Sequence, residues 1–126
     1  MRELSAGAVT EAVARLCIRA NTHLTEDVTQ AIAAAREAED WPAAREILDR
    51  ILENDAIGGG TPICQDTGMA CVFLEVGQDV HITGDLRAAV DEGVRRGYAD
   101  GYLRKSVVAD PLDPVSYTHL RAHETS

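Results

Sequence analysis

The hydrophobic period of this chain changes across Gly58-Gly59-Gly60-Thr61-Pro62-Ile63-Cys64-Gln65-Asp66-Thr67-Gly68, and that change bounds the folds open to it. Before the stretch, apolar residues recur at helical spacing. After it they form a short β-branched run followed by an alternation. A chain that switches period in this way is expected to be α+β. Three consecutive glycines loosen the backbone, Pro62 stiffens it, and Thr67-Gly68 supplies a second turn signal. Between the breakers stand a thiol, an amide and a carboxylate in consecutive positions, more chemistry than a connecting loop requires. The stretch reads as a site.

Upstream, Val9, Val13, Leu16, Cys17 and Ala20 predict a helix over residues 8–21. Thr25 as N-cap, with Glu26 and Asp27 in the first turn, predicts a second helix through the alanine-rich 31–38. Trp41-Pro42 opens a third, since proline suits the first helical position. Ala44, Ile47, Leu48, Ile51 and Leu52 form its buried stripe, Trp41 is a packing anchor, Arg45, Asp49, Arg50 and Glu53 face solvent, and Asn54-Asp55 end it. Downstream, Met69–Val76 predicts a strand, Gly77-Gln78-Asp79 a turn and Val80-His81-Ile82 a second strand, together a β-hairpin. Asp85 caps a fourth helix whose stripe is Leu86, Ala89, Val90, Val94 and Tyr98, with its end fraying from Gly97 to Gly101. Tyr102–Val108 then sets the basic pair Arg104-Lys105 between an aromatic turn and a strand-like run.

With 126 residues, 45% hydrophobic and 26% charged, the chain has the size of one soluble domain. A net charge of −9 without a basic stripe argues against a nucleic-acid partner. No apolar run approaches the roughly 18 residues of a membrane span, and the N-terminus lacks the apolar core of a signal peptide, so a cytoplasmic protein is expected. In a reducing compartment each of the three cysteines is a core filler, a ligand or a nucleophile. Cys17 lies on an apolar stripe and Cys71 among apolar neighbours, so both read as core filler. Cys64 lies in the loop, where three roles stay open: iron–sulfur ligand, nucleophile with His81 as the candidate base, or incidental loop residue. His23 reads as solvated and His81 as facing outward. Residues 115–126 fit no pattern before them and read as a foreign or disordered tail, in which His119 and His123 carry no function.

The run Thr61-Pro62-Ile63-Cys64-Gln65-Asp66-Thr67-Gly68-Met69, followed by Val72–Val80, resembles the N-terminal part of class I fumarases. So do Glu92–Tyr98 and Leu103–Leu112. These are iron–sulfur hydro-lyases that include the α subunits of two-subunit fumarase and of L-tartrate dehydratase. The resemblance spans about residues 5 to 113 and implies that 1–114 form the N-terminal part of a larger catalytic domain, inactive by itself. It implies that Cys64 binds a 4Fe–4S cluster whose two further ligands are absent from this chain. It implies that Gln65 and Asp66 contact the substrate, Asp66 with a catalytic role, and that Arg104 clamps a substrate carboxylate. The reaction implied is the reversible dehydration of malate to fumarate, the alternative being an L-tartrate dehydratase α subunit. A small dicarboxylate, a β subunit and an oligomeric assembly are the partners implied. A non-catalytic ligand-binding or scaffold domain of the same fold is the rival from another class.

Overall fold

In chain order the elements are strand β1 (Arg2–Ser5), helices α1 (Ala6–Thr22), α2 (Glu26–Ala38) and α3 (Pro42–Ile57), strand β2 (Val80–Thr83) and helix α4 (Leu86–Asp100). The computed structural model describes residues 1–57, 61–64, 66–67, 69–104 and 112. The class is α+β, as expected. The chain divides into two units, one formed by Met1–Ile18 with the described residues from Asp66 onward, the other by those from Arg19 to Gln65.

In the first unit each strand feeds a helix. β1 runs directly into α1, and the Ser5 hydroxyl accepts from the Ala8 N–H at 3.2 Å, satisfying one free donor of the first turn. β2 leads through Gly84-Asp85 into α4, where the Asp85 carboxylate accepts from the Ala88 N–H at 3.0 Å, the cap expected from sequence. The strands pair in parallel, Leu4 opposite Ile82 and Ser5 opposite Thr83. Leu4 and Ile82 are the half-buried positions of this central register, and a one-residue slip would turn them to solvent.

The expected hairpin is corrected here. β2 forms, but its partner is β1, and Met69–Val76 takes no regular structure. Phe73 in that run is 93% exposed. Alternation signals a strand but not which strand lies beside it, and a parallel neighbour arrives only after a long connection. The turn itself is present, with the Val80 N–H donating to Gly77 O at 3.0 Å.

The core of this unit joins Val9, Val13 and Cys17 of α1 to Ala89, Val94 and Tyr98 of α4, with Leu103 beyond the helix and Leu4, Ala6, Leu86 and Val90 around it. Leu16 points away, 61% exposed, and leaves the expected stripe. The two helices touch backbone to backbone. A Cβ on Gly93 would stand 2.7 Å from the Thr10 carbonyl oxygen, and one on Gly97 the same distance from that of Ala14. Gly97 is therefore a buried packing position rather than the start of a frayed end. The Thr10 hydroxyl crosses the seam to donate to Ala89 O at 2.9 Å, so its burial leaves no unmet donor.

In the second unit, α2 and α3 begin where sequence places them. Thr25 is extended at the N-cap of α2 and Pro42 is the first residue of α3. Arg36 of α2 holds Asp49 of α3 through two hydrogen bonds of 2.8 and 3.3 Å, and the guanidinium lowers the Asp49 carboxyl below its ordinary range. Asp49 thus belongs to a helix–helix contact and not to a solvated face. Trp41, at 66%, and Ile47, at 59%, are exposed, contrary to the anchor and stripe roles expected of them. α3 continues to Ile57, past the expected stop at Asn54-Asp55. Those two residues instead reach out of the helix: Asp55 Oδ1 accepts from the Leu24 N–H at 2.8 Å and Oδ2 from the Thr29 hydroxyl at 3.1 Å. Among the described residues no helix is long and apolar enough to cross a membrane.

Candidate functional site

Cys64 is exposed, and its position follows from its neighbour. The Ile63 N–H donates to Asn21 O at the end of α1, 2.8 Å, and the Ile63 carbonyl accepts from Asn54 Nδ2 at 3.3 Å. Both backbone groups of Ile63 are occupied, which pins the loop one residue before the thiol. An exposed thiol on a held backbone can meet a metal or an electrophile. Cys17 cannot: it is buried in the α1–α4 core, and burial pushes its thiol up and keeps it protonated. Cys71 is exposed, correcting its reading as a core filler. The run around it did not become a buried strand, so its apolar neighbours do not enclose it. Among the described residues no group of three or more His, Cys, Asp or Glu side chains is placed to hold a metal ion.

Asp66 and Arg104 belong to the first unit, and both are exposed. Between Asp66 and the rest of that unit stands Thr67, which is buried. Its hydroxyl donates to the Arg104 carbonyl oxygen at 2.8 Å, and its own carbonyl oxygen accepts from the Tyr98 hydroxyl at 3.0 Å. Burial raises the Tyr98 phenol, so it remains a donor through the physiological range. Within this unit Thr67 thereby fastens the Asp66-Thr67 segment to Tyr98 and to the backbone at Arg104.

The approach to Arg104 is set by the way α4 ends. The Leu103 N–H donates to Tyr98 O at 3.0 Å and the Tyr102 N–H to Ala99 O at 3.3 Å, the paired bonds of a Schellman ending. Such an ending needs a left-handed residue, and here it is Tyr102, at φ 53°. Leu103 then drops into the core, 4% exposed, and Arg104 returns to the surface. The neighbouring arginines are otherwise engaged. Arg95 and Arg96 both bind Glu92, at 2.6 to 2.7 Å, and hold its carboxyl down to about 2. Of the residues expected at the site, then, Cys64, Asp66 and Arg104 are all at the surface. Gln65 lies outside the described residues, as do Lys105–Pro111 and the tail 115–126. His81 faces outward from β2, as its alternation implies.

Sequence reasoning missed Thr67, Tyr98 and Asn54. Thr67 stood inside the quoted block and Tyr98 on the α4 stripe, but nothing local says where a hydroxyl will find its acceptor. Asn54 read as part of the stop signal of α3, whereas the helix runs on to Ile57 and the Asn54 amide donates to the Ile63 carbonyl. In chemical terms the first unit presents an exposed carboxylate at Asp66, next to the threonine whose hydroxyl holds the Arg104 carbonyl oxygen, and an exposed guanidinium at Arg104. A carboxylate can handle a proton and a guanidinium can hold an anion.

Residues 10–119 match the model of the fumarate hydratase (Fumerase) family. A Methanocaldococcus jannaschii protein provisionally named L(+)-tartrate dehydratase subunit alpha is 32% identical over 104 residues, 79% of this chain and 36% of that protein. The L(+)-tartrate dehydratase subunit alpha of Escherichia coli K12 is 28% identical over 102 residues, 79% of this chain and 34% of that subunit. The chain thus spans about a third of the length of these curated relatives. No solved structure matches it.

Proposed function

This chain belongs to the fumarate hydratase family, and from that premise we propose that residues 1–114 are the N-terminal part of a 4Fe–4S hydro-lyase that reversibly dehydrates malate to fumarate. We take residues 115–126 as a foreign tail, its first five residues overlapping the end of the family match. The observation that carries the reading is the family match over residues 10–119; the Thr67 hydroxyl on Arg104 O supports it by tying the segment bearing Asp66 to the segment bearing a guanidinium.

Cys64, exposed on a pinned loop, fits a cluster ligand; Cys17 is buried with its proton held on, and Cys71, exposed as well, does not stand at a ligand position of the family block. When bound, a 4Fe–4S cluster with three thiolate ligands supplies Lewis acidity at its open iron, and two of those ligands come from outside this chain. Arg104 holds a substrate carboxylate with its two-pronged donor set, a geometry lysine does not reproduce. Gln65 orients the substrate by hydrogen bonding. Asp66 orients it too and handles a proton as the C–O and C–H bonds of the hydroxy acid break and water leaves. The protein acts in the cytoplasm, as part of a larger assembly.

A second reading, L-tartrate dehydratase, is favoured by the names its relatives bear, and those names also suggest a β subunit as partner. The test is anaerobic reconstitution of the full-length enzyme with iron and sulfide, followed by assays with malate, fumarate and L-tartrate. Cys64→Ser is expected to abolish the cluster absorption while Cys17→Ser leaves it in place. Full iron content in the Cys64→Ser protein would remove Cys64 from the ligand set. A wild-type enzyme that takes up no cluster and turns over none of the three acids would favour the scaffold reading.

A further inference from the structure

We propose that Thr67 and Tyr98 are positioning residues, a two-hydroxyl latch that fixes the backbone at Arg104 and thereby the aim of its guanidinium; the inference rests on the reading of Arg104 as a carboxylate clamp. Three observations converge. The Thr67 hydroxyl donates to the Arg104 carbonyl oxygen, and the buried Tyr98 hydroxyl holds the Thr67 carbonyl oxygen in turn. The Tyr98 carbonyl oxygen accepts from the Leu103 N–H, so one residue anchors both segments. Between these anchors the chain accepts a left-handed tyrosine at 102, a conformation disfavoured for a side chain of this kind and kept only where its surroundings over-determine it.

An arginine on a long, flexible stem binds a carboxylate productively only when its Cα is held, because the fork must meet both oxygens in plane. Arg104 is exposed, so side-chain packing is not what holds it. The restraint comes from its backbone carbonyl and from buried Leu103 before it. The neighbour of Thr67 is Asp66, so the same latch sets the carboxylate and the guanidinium relative to each other along the backbone. Each hydroxyl donates to a backbone carbonyl oxygen. Their contribution is alignment.

The experiment is a double-mutant cycle in the full-length, cluster-loaded enzyme. Thr67→Val removes the donor at nearly constant volume and is expected to raise KM roughly 10-fold with a smaller fall in kcat, as misplaced binding groups do. Thr67→Ser keeps the hydroxyl and should restore most of the loss. Tyr98→Phe should give a milder version of the same pattern. In an Arg104→Lys background the fork is already gone, so Thr67→Val should add little. An equal penalty in both backgrounds, or no penalty in either, overturns the proposal, because a purely structural threonine behaves in those ways. Hydrogen exchange in the peptide carrying Leu103 and Arg104 supplies a readout independent of turnover: faster exchange in Thr67→Val supports the latch, and unchanged exchange overturns it. A wild-type enzyme that loads its cluster yet acts on no dicarboxylate would instead sink the functional reading, and the exchange result then decides the latch alone.

Discussion

Gly97 lies against Ala14 so closely that a Cβ added to it would stand 2.7 Å from the Ala14 carbonyl oxygen and 2.8 Å from the Cys17 Cβ. At an exposed helical site, Gly→Ala stabilises by about 1 kcal/mol through helix propensity. Here the obstructing atoms are backbone and Cβ, which cannot swing aside, and overpacking of this kind typically costs about 1–3 kcal/mol. The second effect wins. Gly97→Ala is expected to lower stability in urea denaturation, whereas Gly77→Ala, whose Cβ would meet only the Val80 Cγ2 at 3.8 Å, should stay within about 0.5 kcal/mol of the parent. A stabilised Gly97→Ala protein would show that α1 and α4 are not in backbone contact.

Asp55 joins the break after α1 to the start of α2 through one carboxylate, accepting from the Leu24 N–H and the Thr29 hydroxyl. Asp55→Ala leaves both donors without their acceptor and should destabilise by about 1–3 kcal/mol. Asp55→Asn keeps one carbonyl oxygen for the Leu24 N–H and should lose less. Helical circular dichroism against urea distinguishes the three proteins, and equal midpoints for the alanine and parent chains would contradict the role given to Asp55.

Tyr102 supports a left-handed backbone at φ 53° while its ring is 90% exposed. The conformation costs a non-glycine residue about 1–2 kcal/mol, and almost no ring burial offsets it. Glycine removes that penalty but adds unfolded-state entropy, so Tyr102→Gly should stabilise by a net of about 0.5–1 kcal/mol. Tyr102→Ala keeps the penalty and should not gain. Equal melting temperatures for the glycine and alanine variants would mean that the dihedral is not the source of strain.

Glu92 is held down from 4.5 to about 2 by hydrogen bonds from Arg95 and Arg96. A carboxyl whose folded pKa is depressed contributes stability that is full above its unfolded value and is lost as pH falls through the folded one. The contribution of Glu92 should therefore fade between pH 4.5 and about 2. It is an exposed group, so solvent and salt screen it and the effect is small. Carboxyl-carbon titration by NMR should place the Glu92 midpoint well below those of isolated glutamates. In Arg95→Gln the midpoint should rise, and a value already near 4.5 in the parent chain would show the pair to be broken in solution.

Arg104→Lys keeps the charge of the proposed clamp and loses its planar fork. In the full-length enzyme kcat/KM for the dicarboxylate should fall roughly 30-fold or more, the usual scale for a desolvated charge-assisted contact. The cluster absorption should be unchanged, since Arg104 is not a ligand. Near-parental kcat/KM with an intact cluster would make Arg104 a surface charge.

The helices were legible in the chain because their determinants are local. The Asp85 cap, Pro42 at a first turn, and the stripe Leu86-Ala89-Val90-Val94-Tyr98 all act through neighbours within a turn or two, and the structure keeps each of them; Thr25 keeps the N-cap position of α2, without a side-chain capping bond. The residue types of the block around Cys64 exceed what a loop requires, and the proposed site is placed there on that ground. Everything that depended on a distant partner was decided by tertiary structure. Val80–Ile82 announced a strand, but only the folded chain put Arg2–Ser5 beside it. Met69–Val76 has strand composition and takes no regular structure, since propensity alone does not supply a hydrogen-bonded neighbour. Asn54 and Asp55 looked like a helix end, and in the folded chain they reach Ile63, Leu24 and Thr29. Thr67 read as half of a turn signal until its hydroxyl met the Arg104 carbonyl, thirty-seven positions away. A periodic pattern encodes which face of a segment is buried, whereas the acceptor of a buried hydroxyl is fixed only when remote backbone arrives beside it.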